Sequence, residues 1–413
     1  MDLIIGAGVS GLSYANFCKH KDYLIIDADK EIGGYCKTIK KEGFVWDYSG
    51  HFFHFRNQEI EQYLLDRMPT QKILKISKNT QIKYKDSYID FPFQKNIHQL
   101  PKDEFIDCLY DLFNRDTTTE SNSFKEMLLQ KFGKGICEKF LFPYNEKIYA
   151  CDLDTLDKDA MGRFFPHANA EDIIKNFKNP DNSSYNDHFT YPENGAIQYV
   201  KALNSEVDQS KLCLSEKLVS IDLKEKIAKT SKREIKFDNL ISSIPFPRLL
   251  EVCKVDYDTS IYSWNKVMVF NLGFDKKGKD QKNHWVYFPG KEYCFYRIGY
   301  YDNIFNTDRM SMYVELGFNK DEEVKSPEFY KKQVIEDLKK AGVIENQELV
   351  ADHNVVMDPA YVHINSRSIS DVDRLKLQLQ ESNIYSVGRY GGWTYCSIED
   401  NILEAKELAE SIN

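Results

Sequence analysis

Three glycines, Gly6, Gly8 and Gly11, stand in the pattern Gly-Ala-Gly-Val-Ser-Gly directly after an apolar run, Leu3-Ile4-Ile5. A helical stretch from Leu12 to Phe17 follows, then a second apolar run, Tyr23-Leu24-Ile25-Ile26, that ends on Asp27. Each part has a physical role at a dinucleotide. Gly6 permits a tight turn, Gly8 lets the main chain approach a pyrophosphate, and Gly11 lets helix and strand close on each other. The helix N-terminus, with Ser10 in its first turn, offers free N–H groups and partial positive charge to phosphate oxygens. Asp27 can accept hydrogen bonds from a ribose. A glycine triplet alone could be a structural turn; its placement between strand and helix, with the acid beyond, favours dinucleotide binding.

The next segments separate FAD from a nicotinamide cofactor. Lys30 to Thr38 carries a glycine pair, Gly33-Gly34, just past the ribose acid, and Phe44 to Phe53 carries Gly50 beside His51. Acid, glycine pair and then an Asp-Tyr-Ser-Gly-His loop resemble the superfamily of amine oxidases and UDP-galactopyranose mutases, in which these turns run along FAD.

Later segments resemble the mutase branch, the eukaryotic type in particular. Ile89-Asp90-Phe91-Pro92-Phe93-Gln94 with Leu100-Pro101-Lys102 is similar to a stretch whose Phe and Gln meet the uracil, which implies Phe93 and Gln94 as nucleotide contacts. Phe142 to Tyr149 implies Asn145 and Tyr149 as substrate contacts, with Tyr149 where the family has Trp. Asn186, before His188-Phe189, falls near the nucleotide. His284-Trp285-Val286-Tyr287-Phe288-Pro289 with Phe295-Tyr296-Arg297 implies Trp285, Tyr287 and Arg297. Tyr361 occupies the place of a tyrosine that reaches the diphosphate. Gly388-Arg389-Tyr390-Gly391-Gly392-Trp393-Thr394-Tyr395 implies Gly388 and Arg389 at the cofactor and Arg389 and Tyr395 at the substrate. The resemblance runs from Leu3 to about Ala409. Two departures stand out. Ser49 replaces a usual second glycine before His51, and Arg163 matches a family arginine only across a one-residue gap.

The residue types support these roles independently. A diphosphate is held well by guanidinium forks, which singles out Arg297 and Arg389 as the catalytic pair; a structural ion pair is the bland alternative for each. Tyr287, Tyr361 and Tyr395 can donate phenolic hydrogen bonds, though most of the 26 tyrosines must be core or rim residues. Trp285 could equally be core. His51, on a loop expected beside the flavin, can respond to its redox state or move a proton. Cys396 has no base partner and reads as inert. Ser397 is a plausible cap for a C-terminal helix whose N-terminus would face the flavin.

These groups need a frame that 413 residues can supply as two or three sub-domains. The expected fold is α/β: a discontinuous Rossmann-type FAD domain from residues 1–85, 190–250 and 380–413, and a helical domain at 98–185. An antiparallel-sheet substrate domain is expected at 255–375, with part of 75–97. Asn179–Asp187 is the best candidate for a mobile loop. The formal charge of -9 argues against non-specific nucleic-acid binding. Nine unpatterned cysteines, no metal-type spacing, no apolar run of membrane length and a strand that starts at residue 3 are read as a cytoplasmic protein without a signal peptide or metal site.

The resemblance implies a redox-neutral isomerase that interconverts pyranose and furanose forms of a UDP-sugar through an adduct at N5 of reduced FAD. NAD(P)H or another donor would act as reductant. An FAD-dependent amine oxidase or desaturase, and a non-catalytic nucleotide-sugar-binding flavoprotein, are the rivals. The sugar, the reductant and the state as monomer or homo-oligomer stay open.

Overall fold

Leu3, Ile4 and Ile5 put apolar side chains on both faces of one strand, a pattern suited to a strand covered on both sides. The computed structural model, which describes residues 1–182 and 187–412, places this strand, Asp2–Ile5, at the centre of a five-stranded parallel sheet. The order is Ile384–Ser386, Asn239–Ser242, Asp2–Ile5, Tyr23–Ile26, Leu212–Cys213. Leu3 lies opposite both Leu240 and Leu24. Side-chain alternation then divides the core. Ile4 joins a cluster containing Leu12 and Ile402, from the helices Val9–Phe17 and Ile398–Ile412. Leu3 and Ile5 join one containing Leu249 and Leu375, from Phe246–Cys253 and Ser366–Gln380. The first layer is therefore assembled from three distant parts of the chain.

A second sheet forms from Leu349–Met357, Ser263–Phe274, Ser311–Asn319, Arg297–Tyr300, Trp285–Tyr287, Thr80–Tyr84 and Ser87–Asp90, in that spatial order, with Val362–His363 beside the start of the second. The sequence suggests an antiparallel sheet, and one pairing departs from it. Trp285–Tyr287 runs parallel to Thr80–Tyr84, with Trp285 opposite Thr80. The two strands come from different passes of the chain, so no hairpin dictates their direction. It follows that residues 80–84 belong to this sheet and not to the first layer. Met312, Val314 and Leu316 point to a core with Val334 and Leu338 of the helix Pro327–Lys340. The alternate residues Tyr313 and Glu315 face the other way, toward the parallel-sheet layer.

Helices Lys102–Phe113, Phe124–Ile136, Phe142–Tyr149 and Ala170–Lys178 form the third part. The strands Ile73–Ser77 and His188–Pro192 pair antiparallel as a separate ribbon, with Ile73 opposite Pro192. Among the described residues no helix is long and apolar enough to cross a membrane.

Candidate active site

The turn after Asp2–Ile5 is shaped by its glycines. Gly6 has φ +108°, a backbone region that favours glycine. A Cβ on Gly11 would sit 1.9 Å from the Gly6 carbonyl oxygen, so only glycine lets helix and strand approach this closely. The helix Val9–Phe17 starts on Gly8 without a side-chain cap, which leaves its first N–H groups directed at the adjoining cleft. That cleft, about 470 Å³, is bordered by Gly6, Gly8, Ser10, Asp27, Gly33 and Gly34 at one end and by His51 and Arg389 at the other. Asp27 accepts from Ala7 N at 2.6 Å and Asp29 N at 2.8 Å, and burial raises its pKa. Bare N–H groups, closely apposed glycines and a carboxylate at the strand end fit a dinucleotide. Gly11→Ala should cost about 1–3 kcal/mol through overpacking. It is expected to yield a purified protein with little flavin absorbance and a lower melting temperature.

The far end is held by the last helix. Asp400 N donates to Ser397 Oγ at 3.1 Å while Ser397 N donates to Asp400 Oδ2 at 2.7 Å, a reciprocal cap on Ile398–Ile412. Asn401 Oδ1 accepts from Arg389 N at 2.7 Å, and Glu404 Oε2 accepts from Gly388 N at 2.7 Å. Gly388 itself packs so closely that a Cβ would lie 2.4 Å from Ser10 Oγ.

A second cavity of about 200 Å³ adjoins the cleft and shares His51, Arg389, Cys396 and Ile398 with it. Its wall contains a row across three strands. Tyr287 is the register partner of Arg297, and Arg297 of Glu315, so all three share one face. Arg297 donates from Nε to Glu315 Oε2 at 2.6 Å and from Nη2 to Oε1 at 2.9 Å. Ser49 Oγ donates to the same Oε1. Trp285 Nε1 donates to the Tyr287 hydroxyl at 2.9 Å, which leaves the phenolic hydrogen for another acceptor. Phe52 stacks on Trp285 at 5.5 Å.

Arg389 has a different environment. Its guanidinium lies 4.5 Å from the Tyr395 ring centre and 5.1 Å from that of Tyr361, and these rings stack at 6.0 Å. Its Nε is buried without an acceptor, and among the described residues its side chain has no carboxylate partner. A half-buried cation packed on π faces is left with charge to offer an anion.

His51 donates from Nδ1 to the Ser49 carbonyl at 3.1 Å, so Nε2 carries the lone pair. Burial pushes its pKa down to about 4, with Arg389 and Arg297 acting in the same sense, and it is neutral at physiological pH. Cys396 touches both cavities, but burial pushes its thiol up to about 12, which removes the reactive thiolate.

The structure thus brings together Gly50, His51, Trp285, Tyr287, Arg297, Tyr361, Arg389 and Tyr395 around the second cavity. It does not bring the other predicted substrate residues to the wall. Phe93 is fully buried between Phe140 and Tyr84, with ring centres 5.1 and 5.8 Å away. Gln94 is also fully buried and donates to the Pro166 carbonyl. Asn145 donates back to Leu141 O at 2.6 Å within its helix. Tyr149 lies behind Tyr361, its ring centre 6.0 Å away. Arg163 is half-exposed and paired with Asp400 at 2.6 Å; its neighbour Phe164 lines the cavity instead. Asn186 lies outside the described residues, as does the middle of the Asn179–Asp187 stretch. The motif spacing had no means of separating a wall residue from the one packed behind it.

Glu315 is the residue the motifs missed. Its sequence signal was an acid in phase with Tyr313 on a strand otherwise built of Met312, Val314 and Leu316.

The sequence pattern of the flavin containing amine oxidoreductases matches residues 9–413. The chain belongs to that family. Over 176 residues it is 25% identical to a UDP-galactopyranose mutase from Mycoplasma genitalium, a match that covers 39% of this chain and only 42% of that relative. The fold is similar to that of a crystal structure of reduced UDP-galactopyranose mutase, with TM-score 0.92, 22% identity and 100% and 93% of the two chains covered. It is also similar to cyclohexylamine oxidase from Brevibacterium oxydans, with TM-score 0.70, 11% identity and 100% and 98% covered. The family implies a flavin cofactor, and the cleft described above has the groups to hold one.

Proposed function

We propose that this flavoprotein binds FAD and isomerises a nucleotide sugar between pyranose and furanose forms, with UDP-galactose as the default substrate. The observation that carries the reading is the half-buried guanidinium of Arg389, with no carboxylate partner among the described residues, at the junction of the dinucleotide cleft and a cavity that also holds Arg297. A cationic amine would meet two guanidiniums there; a diphosphate would be attracted to them. The similarity to a mutase fold supports the same choice.

When bound and reduced, the flavin supplies the electron-rich centre at which the anomeric carbon exchanges its substituent, so the chain needs no nucleophile of its own. The residues do the holding. Arg389 and Arg297 keep the diphosphate in place as it leaves the sugar and returns, a matter of position and charge stabilisation. Tyr287, Tyr361 and Tyr395 add phenolic donors; burial raises the pKa of Tyr287 and Tyr361, which keeps both protonated. Neutral His51 presents a lone pair at Nε2, suited to accept a hydrogen bond from a sugar hydroxyl or the flavin edge. NAD(P)H or another donor would reduce the flavin, and Phe52 with Trp285 forms a stacked apolar wall suited to a ring of the ligand.

The test is an anaerobic assay of the holoprotein with UDP-galactofuranose, before and after dithionite reduction, with products separated by chromatography. Conversion to UDP-galactopyranose by the reduced protein alone is expected. No conversion of any UDP-sugar, together with peroxide formation from an amine in air, would replace this reading with an oxidase.

A further inference from the structure

Ser49 links the Glu315–Arg297 pair to His51. It is 9% exposed. Its hydroxyl donates to Glu315 Oε1, the oxygen that also accepts from Arg297 Nη2 at 2.9 Å. Its carbonyl accepts from His51 Nδ1 at 3.1 Å and from the Tyr301 hydroxyl at 3.3 Å. A glycine keeps the carbonyl and loses the hydroxyl, so the link to Glu315 is specific to the serine.

The link matters because of what Glu315 does to Arg297. The carboxylate engages Nε and Nη2, and among the described residues Nη1 makes no hydrogen bond. A fully charged carboxylate so close cancels much of the field an anion would feel. It could also turn and draw the guanidinium out of line. A hydroxyl donated to Oε1 withdraws negative charge from the carboxylate and fixes its plane. From this geometry we infer that Ser49 is a positioning residue for Arg297, acting through Glu315 to keep Nη1 presented and incompletely neutralised toward the diphosphate. The inference rests on the reading that Arg297 holds a diphosphate. The competing view is that Ser49 merely satisfies a buried carboxylate lone pair, in which case its removal affects stability and leaves anion affinity unchanged.

A double-mutant cycle on the flavin-loaded protein separates the two. UDP binding is titrated by calorimetry for the parent, Ser49→Ala, Glu315→Gln and the double variant, with flavin content and melting temperature measured alongside. Ser49→Ala is expected to weaken UDP binding at least fivefold with flavin content unchanged. Ser49→Thr, which restores a hydroxyl, is expected to return the affinity to within twofold. In the Glu315→Gln background the Ser49→Ala change should alter affinity less than twofold, because the group it acts through has lost its charge. An affinity unaltered in Ser49→Ala, or two effects that multiply in the double variant, overturns the inference. If the parent fails to bind UDP but binds inorganic pyrophosphate, the nucleotide-sugar reading fails while the cycle, run with pyrophosphate, still decides the role of Ser49. If it binds neither, Arg297 is no anion clamp and the inference falls as well.

Discussion

Arg389→Ala is expected to weaken UDP binding by the flavin-loaded protein about 100-fold, equivalent to ~2.7 kcal/mol. A charge-assisted hydrogen bond contributes about 1.5–3 kcal/mol, and among the described residues this guanidinium has no carboxylate to share its charge with. Arg389→Lys is expected to recover only part of the loss. An ammonium keeps the charge but lacks the planar fork and the flat face that packs against both Tyr361 and Tyr395. Arg297→Ala should differ in kind. It strands Glu315, which is 1% exposed, as a buried carboxylate with its main partner gone. Breaking such a pair typically costs about 3–5 kcal/mol of stability, so a lowered melting temperature should accompany weaker binding. Calorimetric titration with UDP and thermal unfolding separate the two cases. Unchanged UDP affinity in Arg389→Ala would remove the central support for the nucleotide-sugar reading.

Stability should fall steeply as the solution is acidified below about pH 6.5. Burial pushes His51, His54, His284 and His363 each down to about 4. Between about pH 4 and 6.5 the unfolded chain therefore binds four protons that the folded chain refuses, which favours unfolding as pH drops. Two buried acids act oppositely. Asp47 and Asp302 are pushed up to about 7, so over the same window the folded chain holds two protons that the unfolded chain releases. For these six groups, four protons against two leave a net uptake of about two on unfolding, about 2.7 kcal/mol per pH unit; His98, His167 and His353, also pushed down by burial, add to it, and Asp27, pushed up, subtracts. Near pH 7 the unfolded histidines still bind about one proton between them and the two buried acids hold about one, so the contributions cancel and the maximum lies near pH 7. Urea midpoints at pH 7, 6 and 5 measure this directly. His363 is the cleanest single probe, because it bonds to Tyr149 O and Ser263 Oγ, away from both cavities. His363→Gln should flatten the dependence by about one proton. A midpoint that stays level or rises from pH 6 to pH 5 would contradict this account.

The balance of neutral histidines and protonated acids was invisible in the sequence, because it depends on burial. Other features were local and legible. The run Leu3 to Asp27 carries its whole instruction in neighbouring residues: apolar on both faces, glycines where main chain must approach main chain, and an acid at the strand end. Ser397 and Asp400 form a cap because they are three residues apart at the start of an apolar period. The alternation of Ser311 to Leu316 marked a strand with two faces. Such features rest on spacing along one element, and spacing is what a sequence records.

The walls of the second cavity rest on register between elements far apart in the chain. Whether Phe93 or Tyr287 faces the ligand depends on which side of a packed layer each falls. Motif order alone could not tell a wall residue from the one behind it. Likewise Arg297 and Arg389 look equivalent as arginines in aromatic surroundings. Cross-strand register sets Glu315 against the first, while the last helix holds the second beside two tyrosine rings, with no carboxylate partner among the described residues. The sequence by itself determined the dinucleotide turn, the elements and the residue types at hand. Only the tertiary structure decided which of the two guanidiniums is neutralised, because pairing and desolvation of charge depend on distances across the fold.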